Sequence, residues 1–467
     1  MAKVSPMEIY RLLPGTNCKE CGDVTCMAFA SSLIERAKVV EGCSPLFAED
    51  KYAKNRAALL EMMTPPVREV TIGTGKRAFN IGGEEVMYRH ELTFFNPTAL
   101  IVDIDDEMPS DEIAKKVDLV DKLMVERIGQ ELTLQGIAVR SKSNDETKFG
   151  DAVITAMENS ELPLVLCSLN PALLEVALEI SSEKKPLIYA ATKENFEKVA
   201  DLALKYNCPV VASSPGDVQG LLNIVTDLMN KGIEDIVLDV GTYPLGEKFG
   251  LMLDNLAALR RLAIEDKVKE AGFPILGVPL VAWLAESDPV KGGVAEATLA
   301  ASQSLKYCDA LIIHSPEIWE LLPILTLRQN VYTDPRVPIS VDAGLYTIGK
   351  PDENSPVLMT TNFALTYYTV ASDLEASGVN AYLLVVDTEG LAVEPAMAGS
   401  KLTPSVVKDA LSSSGAESKV NHKTMVIPGM AARISGEVEE ETGWDVKVGP
   451  IDSSRIQAFL DKEKEKA

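Results

Sequence analysis

Cys18, Cys21, Cys26 and Cys43 are the residues best equipped for chemistry. They read C-x2-C-x4-C-x16-C, and only three of the seven cysteines lie elsewhere. Thiolates bind soft and borderline metals, and four of them complete either an iron–sulfur cluster or a closed zinc site. Structural zinc sites usually use two close pairs. Here three cysteines stand together and the fourth stands apart, which favours a loop wrapped around a cluster, with a helix returning the last ligand. Gly22 lets the backbone pass close to sulfur. Thr25 is placed to cap a helix that starts at Cys26 and runs to about Lys38, so its positive end faces the thiolates. A disulfide fits poorly: no signal peptide precedes the loop, and the scattered remaining thiols suit a reducing cytoplasm. A cluster would make the chain an electron carrier.

The rest of the chain must then supply what receives the electron. With 467 residues there is room for two or three domains. No apolar run reaches membrane-spanning length. A formal net charge of −24 argues against nucleic acid as a partner. The three histidines, His90, His314 and His422, leave few places for a His-rich metal site.

The elements fall into three groups. Residues 1–64 read as a small unit: a short helix from Pro6 to Leu13, the cysteine loop with its helix, and a helix from Tyr52 to Met63. Thr64-Pro65-Pro66 ends that helix and marks a boundary. Such a unit has a thin core and would lean on its metal. Residues 65–330 open with short strand pieces at Val67–Ile72, Phe79–Ile81 and Val86–Tyr88; Gly73 and Gly75 among them fit a hairpin better than a nucleotide loop. Eight apolar strands follow, most separated by amphipathic helices such as Asp111–Ile128. They are Ala99–Ile104, Leu134–Val139, Leu164–Ser168, Leu187–Ala191, Val210–Ser213, Ile236–Val240, Ile275–Val281 and Ala310–His314. That rhythm predicts a (β/α)8 TIM barrel, with Asn170 and Asp239 among the polar strand ends to watch. Residues 331–467 predict a doubly wound α/β domain of strands at Pro356–Asn362, Ala381–Val386, Thr424–Ile427 and Val446–Val448. A ligand there would sit outside the carboxyl ends of the strands. Those ends carry Thr, Asn and Gly and few charges, which suits a broad, mostly apolar ligand edged by amides.

The chain resembles the large subunit of the corrinoid/iron–sulfur protein, in its archaeal form within acetyl-CoA decarbonylase/synthase complexes. The likeness runs through the cysteine loop, Leu238–Pro244, Tyr332–Pro335, Asn354–Tyr368 and Ile427–Arg433. It implies a [4Fe–4S] cluster on Cys18, Cys21, Cys26 and Cys43, a central barrel, and a C-terminal corrinoid-binding domain. It implies that Thr333, Thr360, Thr361, Asn362, Phe363, Thr388, Glu389, Gly390, Gly429, Met430 and Ala431 border the corrin. It implies a heterodimer with a smaller corrinoid/iron–sulfur subunit, and work with acetyl-CoA synthase, carbon monoxide dehydrogenase and a methyl-tetrahydropterin. The activity implied is cytoplasmic methyl transfer, with the cluster reductively reactivating cobalt. The D-x-H-x-x-G motif of other corrinoid proteins is absent, so a base-off corrinoid without a histidine ligand is expected. A barrel enzyme with its own substrate would instead rely on carboxylates such as Asp103 and Asp239.

Overall fold

The computed structural model describes residues 5–334 and 337–466; Pro335, which closes the Tyr332–Pro335 segment, lies outside them. The chain gathers into two compact units, neither of them a single stretch. One comprises Met1–Met87, Phe95–Asp118 and Gln135–Ile324, the other Tyr88–Phe94, Leu119–Leu134 and Leu325–Ala467.

The first unit opens with helices α1 (Pro6–Leu12), α2 (Cys26–Ile34), α3 (Ser44–Ala48) and α4 (Ala53–Met63). Ser5 and Glu8 form a reciprocal capping box at α1, and Thr25 caps α2 by accepting from Ala28 N–H. α2 stops at Ile34, short of Lys38. The helices enclose a small core around Ile9, Phe29, Leu33, Leu46 and Leu59, and Cys26 and Cys43 belong to it. Arg36 joins this bundle to the next segment. Its guanidinium donates to Gly83 O (2.7 Å) and Glu85 (2.9 Å) and lies over the Phe95 ring.

Strands β1 (Val70–Ile72) and β2 (Phe79–Ile81) form the expected antiparallel hairpin. There follow β3 (Ala99–Asp105), α5 (Ser110–Lys122), β4 (Met124–Arg127), β5 (Gln130–Thr133) and β6 (Gly136–Arg140). Next come α6 (Glu146–Asn159), β7 (Leu164–Cys167), α7 (Pro171–Ser181), β8 (Leu187–Ala191), α8 (Phe196–Tyr206), β9 (Val210–Ser213) and α9 (Val218–Asn230). The run ends with β10 (Ile236–Asp239), α10 (Glu247–Ile264), β11 (Leu276–Gly277), α11 (Ala282–Ala285), α12 (Pro289–Leu305), β12 (Ala310–Ile313) and α13 (Ile318–Tyr332). Eight of these strands form one parallel sheet in the order β10-β9-β8-β7-β6-β3-β12-β11. A bridge between Leu238 and Ile275 brings its two ends together into a nearly closed barrel. Val70, Ile72 and Ile81 share the barrel's inner core with Ala99, Leu187 and Ala310, so the hairpin plugs the amino end of the barrel.

Three expectations change here. The piece read as a strand at Val86–Tyr88 forms no strand. The strand read over Ile275–Val281 is only two residues long, because Pro279 has no N–H for a ladder and starts a short 3-10 turn. The helix read to Ile128 stops at Lys122, and β4 and β5 form a two-residue hairpin instead. Ile128 and Gly129 both take positive φ (51° and 68°), the geometry such a turn demands.

The hairpin belongs to the second unit, where Arg127 and Gln130 bond Gln329, and Thr133 O accepts from Arg328. Its main sheet uses β13 (Gly344–Ile348), β14 (Val357–Thr361), α14 (Ala364–Ala376), β15 (Ala381–Val386), α15 (Val393–Ala398) and α16 (Pro404–Ser414). It continues with β16 (Thr424–Ile427), α17 (Ser435–Thr442), β17 (Asp445–Val448) and α18 (Ile456–Lys466). The strand order is β13-β15-β14-β16-β17. All are parallel except β13, an edge strand absent from the sequence reading. One face packs on α15, α16 and α17 and the other on α14 and α18. The chain winds outward from β14 in both directions, so the topological switch point lies between β14 and β16. In such sheets that is where the loops part and leave a crevice.

Candidate functional sites

The cysteine loop comes first. Cys18 is exposed, Cys21 half-buried, and Cys26 and Cys43 buried; all four are free thiols. Cys26 opens α2, and its N–H donates to Asn17 Oδ1 (2.8 Å). Cys43 sits where a 3-10 turn over Val40–Gly42 hands over to α3. Burial pushes the Cys43 thiol up, and the charges of Cys26, Cys18 and Cys21 push it the same way. Cys26 and Cys43 lie in the core of the bundle, and Cys21 packs against it. Among the described residues no three His, Cys, Asp or Glu side chains stand at ion-gripping distance. The donor set itself, four thiols on one loop and two helix starts, fits a thiolate-bound cluster. Gly22 has φ +84°, as a left-handed turn beside Cys21 requires.

The second site is a cavity of about 440 Å3 at the switch point of the second unit. The ends of β14 and β16 form its floor, with Leu358, Thr360 and Ile427. One wall is the face of α14 that carries Leu365, Thr366, Thr369 and Val370, two pairs spaced by four residues. The start of α15 and the Gly449–Ile451 loop complete it. The lining is mostly apolar, with scattered hydroxyls and one carboxylate, Glu394. Thr360 Oγ1 is buried there without a hydrogen-bond partner, and so is the neighbouring Thr361 Oγ1. A buried polar atom left unpaired costs about 1–3 kcal/mol, which marks a place where a ligand can supply the missing bond. An apolar recess edged by hydroxyls fits part of an amide-fringed macrocycle.

Of the residues expected around a ligand, Thr360, Phe363 and Met430 line this cavity. Asn362 lies behind it. Its Oδ1 accepts from Thr388 N–H (2.9 Å), Thr388 Oγ1 (3.0 Å) and Gly390 N–H (3.0 Å), while its Nδ2 donates to Asp387 (3.0 Å). Asn362, Thr388 and Gly390 thus tie the β14 and β15 loops together. Glu389 has positive φ and pairs with Lys401 on the surface. Gly429 is needed because a Cβ there would stand 2.7 Å from Gly449 O, so the close approach is between two loops. Ala431 is buried in the core beside α15–α17. Thr333 ends α13 with its hydroxyl on Gln329 O (2.7 Å). The walls on α14 and α15 were missed by motif reading, although the four-residue spacing on α14 was visible.

The carboxyl ends of the barrel strands hold polar groups that close on one another. Burial works against the charge of Asp103. The hydrogen bond from His314 (2.6 Å) and the charges of Lys116 and Arg140 outweigh it and hold the carboxyl below its usual range. Asp239 is buried, and burial raises its pKa although Tyr189 (2.7 Å), Ser213 (2.9 Å) and Gly241 N–H (2.8 Å) all bond it. Asn170 caps α7 through Ala172 N–H. These bonds give each residue a structural task. His422, in the second unit, precedes β16 at its amino end, with ring nitrogens on Ser355 O and Thr424 N–H. The cavity lies at the opposite end of that strand.

Comparison with known proteins bears on the cysteine loop and on the family of the chain. A family described as "CO dehydrogenase/acetyl-CoA synthase delta subunit" matches residues 69–460, and one described as "Putative Fe-S cluster" matches residues 13–45. The chain is 46% identical to acetyl-CoA decarbonylase/synthase complex subunit gamma 1 of Methanosarcina thermophila, over 98% of both chains. It is 45% identical to subunit gamma of Methanothermobacter thermautotrophicus, over 98% of this chain and 99% of that one. The relatives matched over full length are named gamma, which outweighs the delta of the family description. A dihydropteroate synthase from Xanthomonas albilineans aligns over 57% of this chain and 99% of its own at 14% identity, with a TM-score of 0.41. A likeness that loose says nothing of substrate. Among the described residues no helix is long and apolar enough to cross a membrane.

Proposed function

The chain belongs to the family of gamma subunits of the acetyl-CoA decarbonylase/synthase complex, and on that premise we propose that it is the methyl carrier of such a complex. In this reading a corrinoid sits at the switch-point cavity and a [4Fe–4S] cluster on Cys18, Cys21, Cys26 and Cys43. Held there, the corrinoid would supply a cobalt nucleophile for accepting a methyl group from a methyl-tetrahydropterin, with release of the tetrahydropterin, and for passing it to acetyl-CoA synthase. The four cysteines would hold a cluster that would supply a low-potential electron for reactivating oxidised cobalt.

The observation that carries the reading is the apolar cavity with its unpartnered Thr360 hydroxyl, at the one place in the sheet where ligands of such folds collect. Thr360, Phe363 and Met430 would touch the macrocycle. Asn362, Thr388, Glu389, Gly390, Gly429 and Ala431 would hold the loops that present those contacts. A base-off state is supported by His422, which is engaged at the far end of β16. The smaller barrel subunit, acetyl-CoA synthase and carbon monoxide dehydrogenase are the partners, in the cytoplasm, and methyltransferase activity belongs to the pair of corrinoid subunits.

The test is transfer of radiolabelled methyl from methyl-tetrahydropterin to the purified, reduced complex. The label should come to rest on protein-bound corrinoid and pass to acetyl-CoA when synthase, coenzyme A and carbon monoxide are added. Label that never becomes protein-bound while acetyl-CoA still forms contradicts the carrier role.

A further inference from the structure

Lys38 lies outside the cysteine loop in sequence yet reaches into it. α2 ends at Ile34, and the turn after it, with Ala37 and Lys38 N–H bonded to Ser32 O, brings the side chain back. The ammonium donates to Cys21 O (2.7 Å) and pairs with Asp23 at 2.9 Å. It passes over Gly22, where a Cβ would stand 3.3 Å from Nζ. Both partners are mostly shielded, with side-chain exposures of 30% for Lys38 and 18% for Asp23. The loop itself carries one further cation, Lys19, and one further anion, Glu20, and Lys38 is the one that reaches it from outside.

We propose that Lys38 and Asp23 are a matched charge pair that positions the Cys18–Cys26 loop and sets the reduction potential of the cluster it holds. The inference rests on the iron–sulfur reading above. Reduction adds negative charge to a cluster already surrounded by thiolates. A nearby cation favours the reduced state and a nearby anion disfavours it, and shielding from water strengthens both effects. The Cys21 carbonyl fixes where the ammonium stands, and Asp23 limits how far its charge is felt. Lysine suits the task as a compact point charge that donates in several directions at once.

The experiment is a dithionite-poised EPR titration of the anaerobically purified complex, with iron counted in parallel. Lys38→Met should move the cluster midpoint to a more negative potential, and Asp23→Asn should move it to a more positive one. The double variant should return close to the parent value, and Lys38→Arg should stay near it. A merely structural role would lower iron content in each variant without a shift whose sign follows the charge removed. If Lys38→Met holds no cluster, the positive shift of Asp23→Asn and the retained potential of Lys38→Arg decide the matter. Unshifted midpoints in variants that keep their iron overturn this inference and leave the cluster reading standing. A parent complex without iron overturns both.

Discussion

The cysteine loop and the switch-point cavity reach function by opposite routes. In the loop the side chains are the chemistry: four thiols define the site, and a small core of helices holds them. In the cavity the chemistry comes with the ligand, and the protein contributes shape. Its walls are mostly Leu, Val, Ile, Pro and Thr on four separate stretches of chain. The larger core beneath, with Leu384, Leu411, Ile427 and Trp444, keeps that shape without the ligand. Loss of the bound group should therefore unfold the first region and only empty the second.

The largest expected effect breaks the first region. On the proposed assignment Cys26→Ser removes a cluster ligand as well as a buried core residue, so iron should be lost and hydrogen exchange should become fast through α1–α4. Exchange in β14–β17 should stay slow. Slow exchange throughout would mean that the metal adds little to the bundle.

In the second region the supporting loops matter most. Asn362→Ala strands two buried N–H groups, while the Thr388 hydroxyl keeps Leu391 O, and should cost about 2 kcal/mol in denaturant unfolding of that unit. A cost below about 1 kcal/mol would show that the loops hold themselves.

A pH signature belongs to the joint below the cysteine bundle. Glu84 is buried beside the Gly83 carbonyl that Arg36 grips, and burial pushes its carboxyl up to about 8. The folded state thus binds the proton more tightly than the unfolded chain. The stability this contributes is complete below about pH 4.5, falls as pH rises, and is gone above about pH 8. Glu84→Gln should flatten that slope, gaining on the order of 2 kcal/mol over the parent between pH 6 and 9. Parallel pH profiles would contradict the assignment.

Gly449→Val tests shape directly. A Cβ there would meet Val426 Cγ1 at 2.9 Å and Ile427 O at 3.1 Å, so the loop must move, at about 1–2 kcal/mol. Corrinoid retained on gel filtration should drop much more than stability does.

Thr360→Val has the smallest effect and the sharpest sign. Replacing an unpaired buried hydroxyl with a methyl should stabilise the ligand-free protein by about 1 kcal/mol while weakening corrinoid retention. Destabilisation of the ligand-free form would mean that the hydroxyl already has a partner.

The same contrast governs what could be read from the sequence. The thiol loop was legible because ligand type and spacing are written in the residues. Barrel strands such as Leu187–Ala191 and Val210–Ser213 were legible because buried parallel strands are continuous apolar runs. Pro279 should have warned against a long strand at Ile275–Val281. The β4–β5 hairpin was hidden because the amphipathic pattern of α5 runs on into Val125 and Ile128. β13 was missed because Gly344–Ile348 pairs on one side only and stays half-exposed. The cavity walls were illegible as a motif, since Leu365, Pro395 and Ile451 become neighbours only through the fold. Asn362 was singled out as bordering a ligand, and what the sequence did not reveal is that its side chain ties the β14 and β15 loops together.

The most direct measurement is iron and cobalt per chain, with visible and EPR spectra, on this protein purified without oxygen and apart from its other iron-holding partners. The account predicts about four irons and one cobalt, the spectrum of a base-off corrinoid, and a Co(II) signal without imidazole nitrogen splitting. Zinc in place of iron, or a corrinoid with a histidine on cobalt, would contradict it.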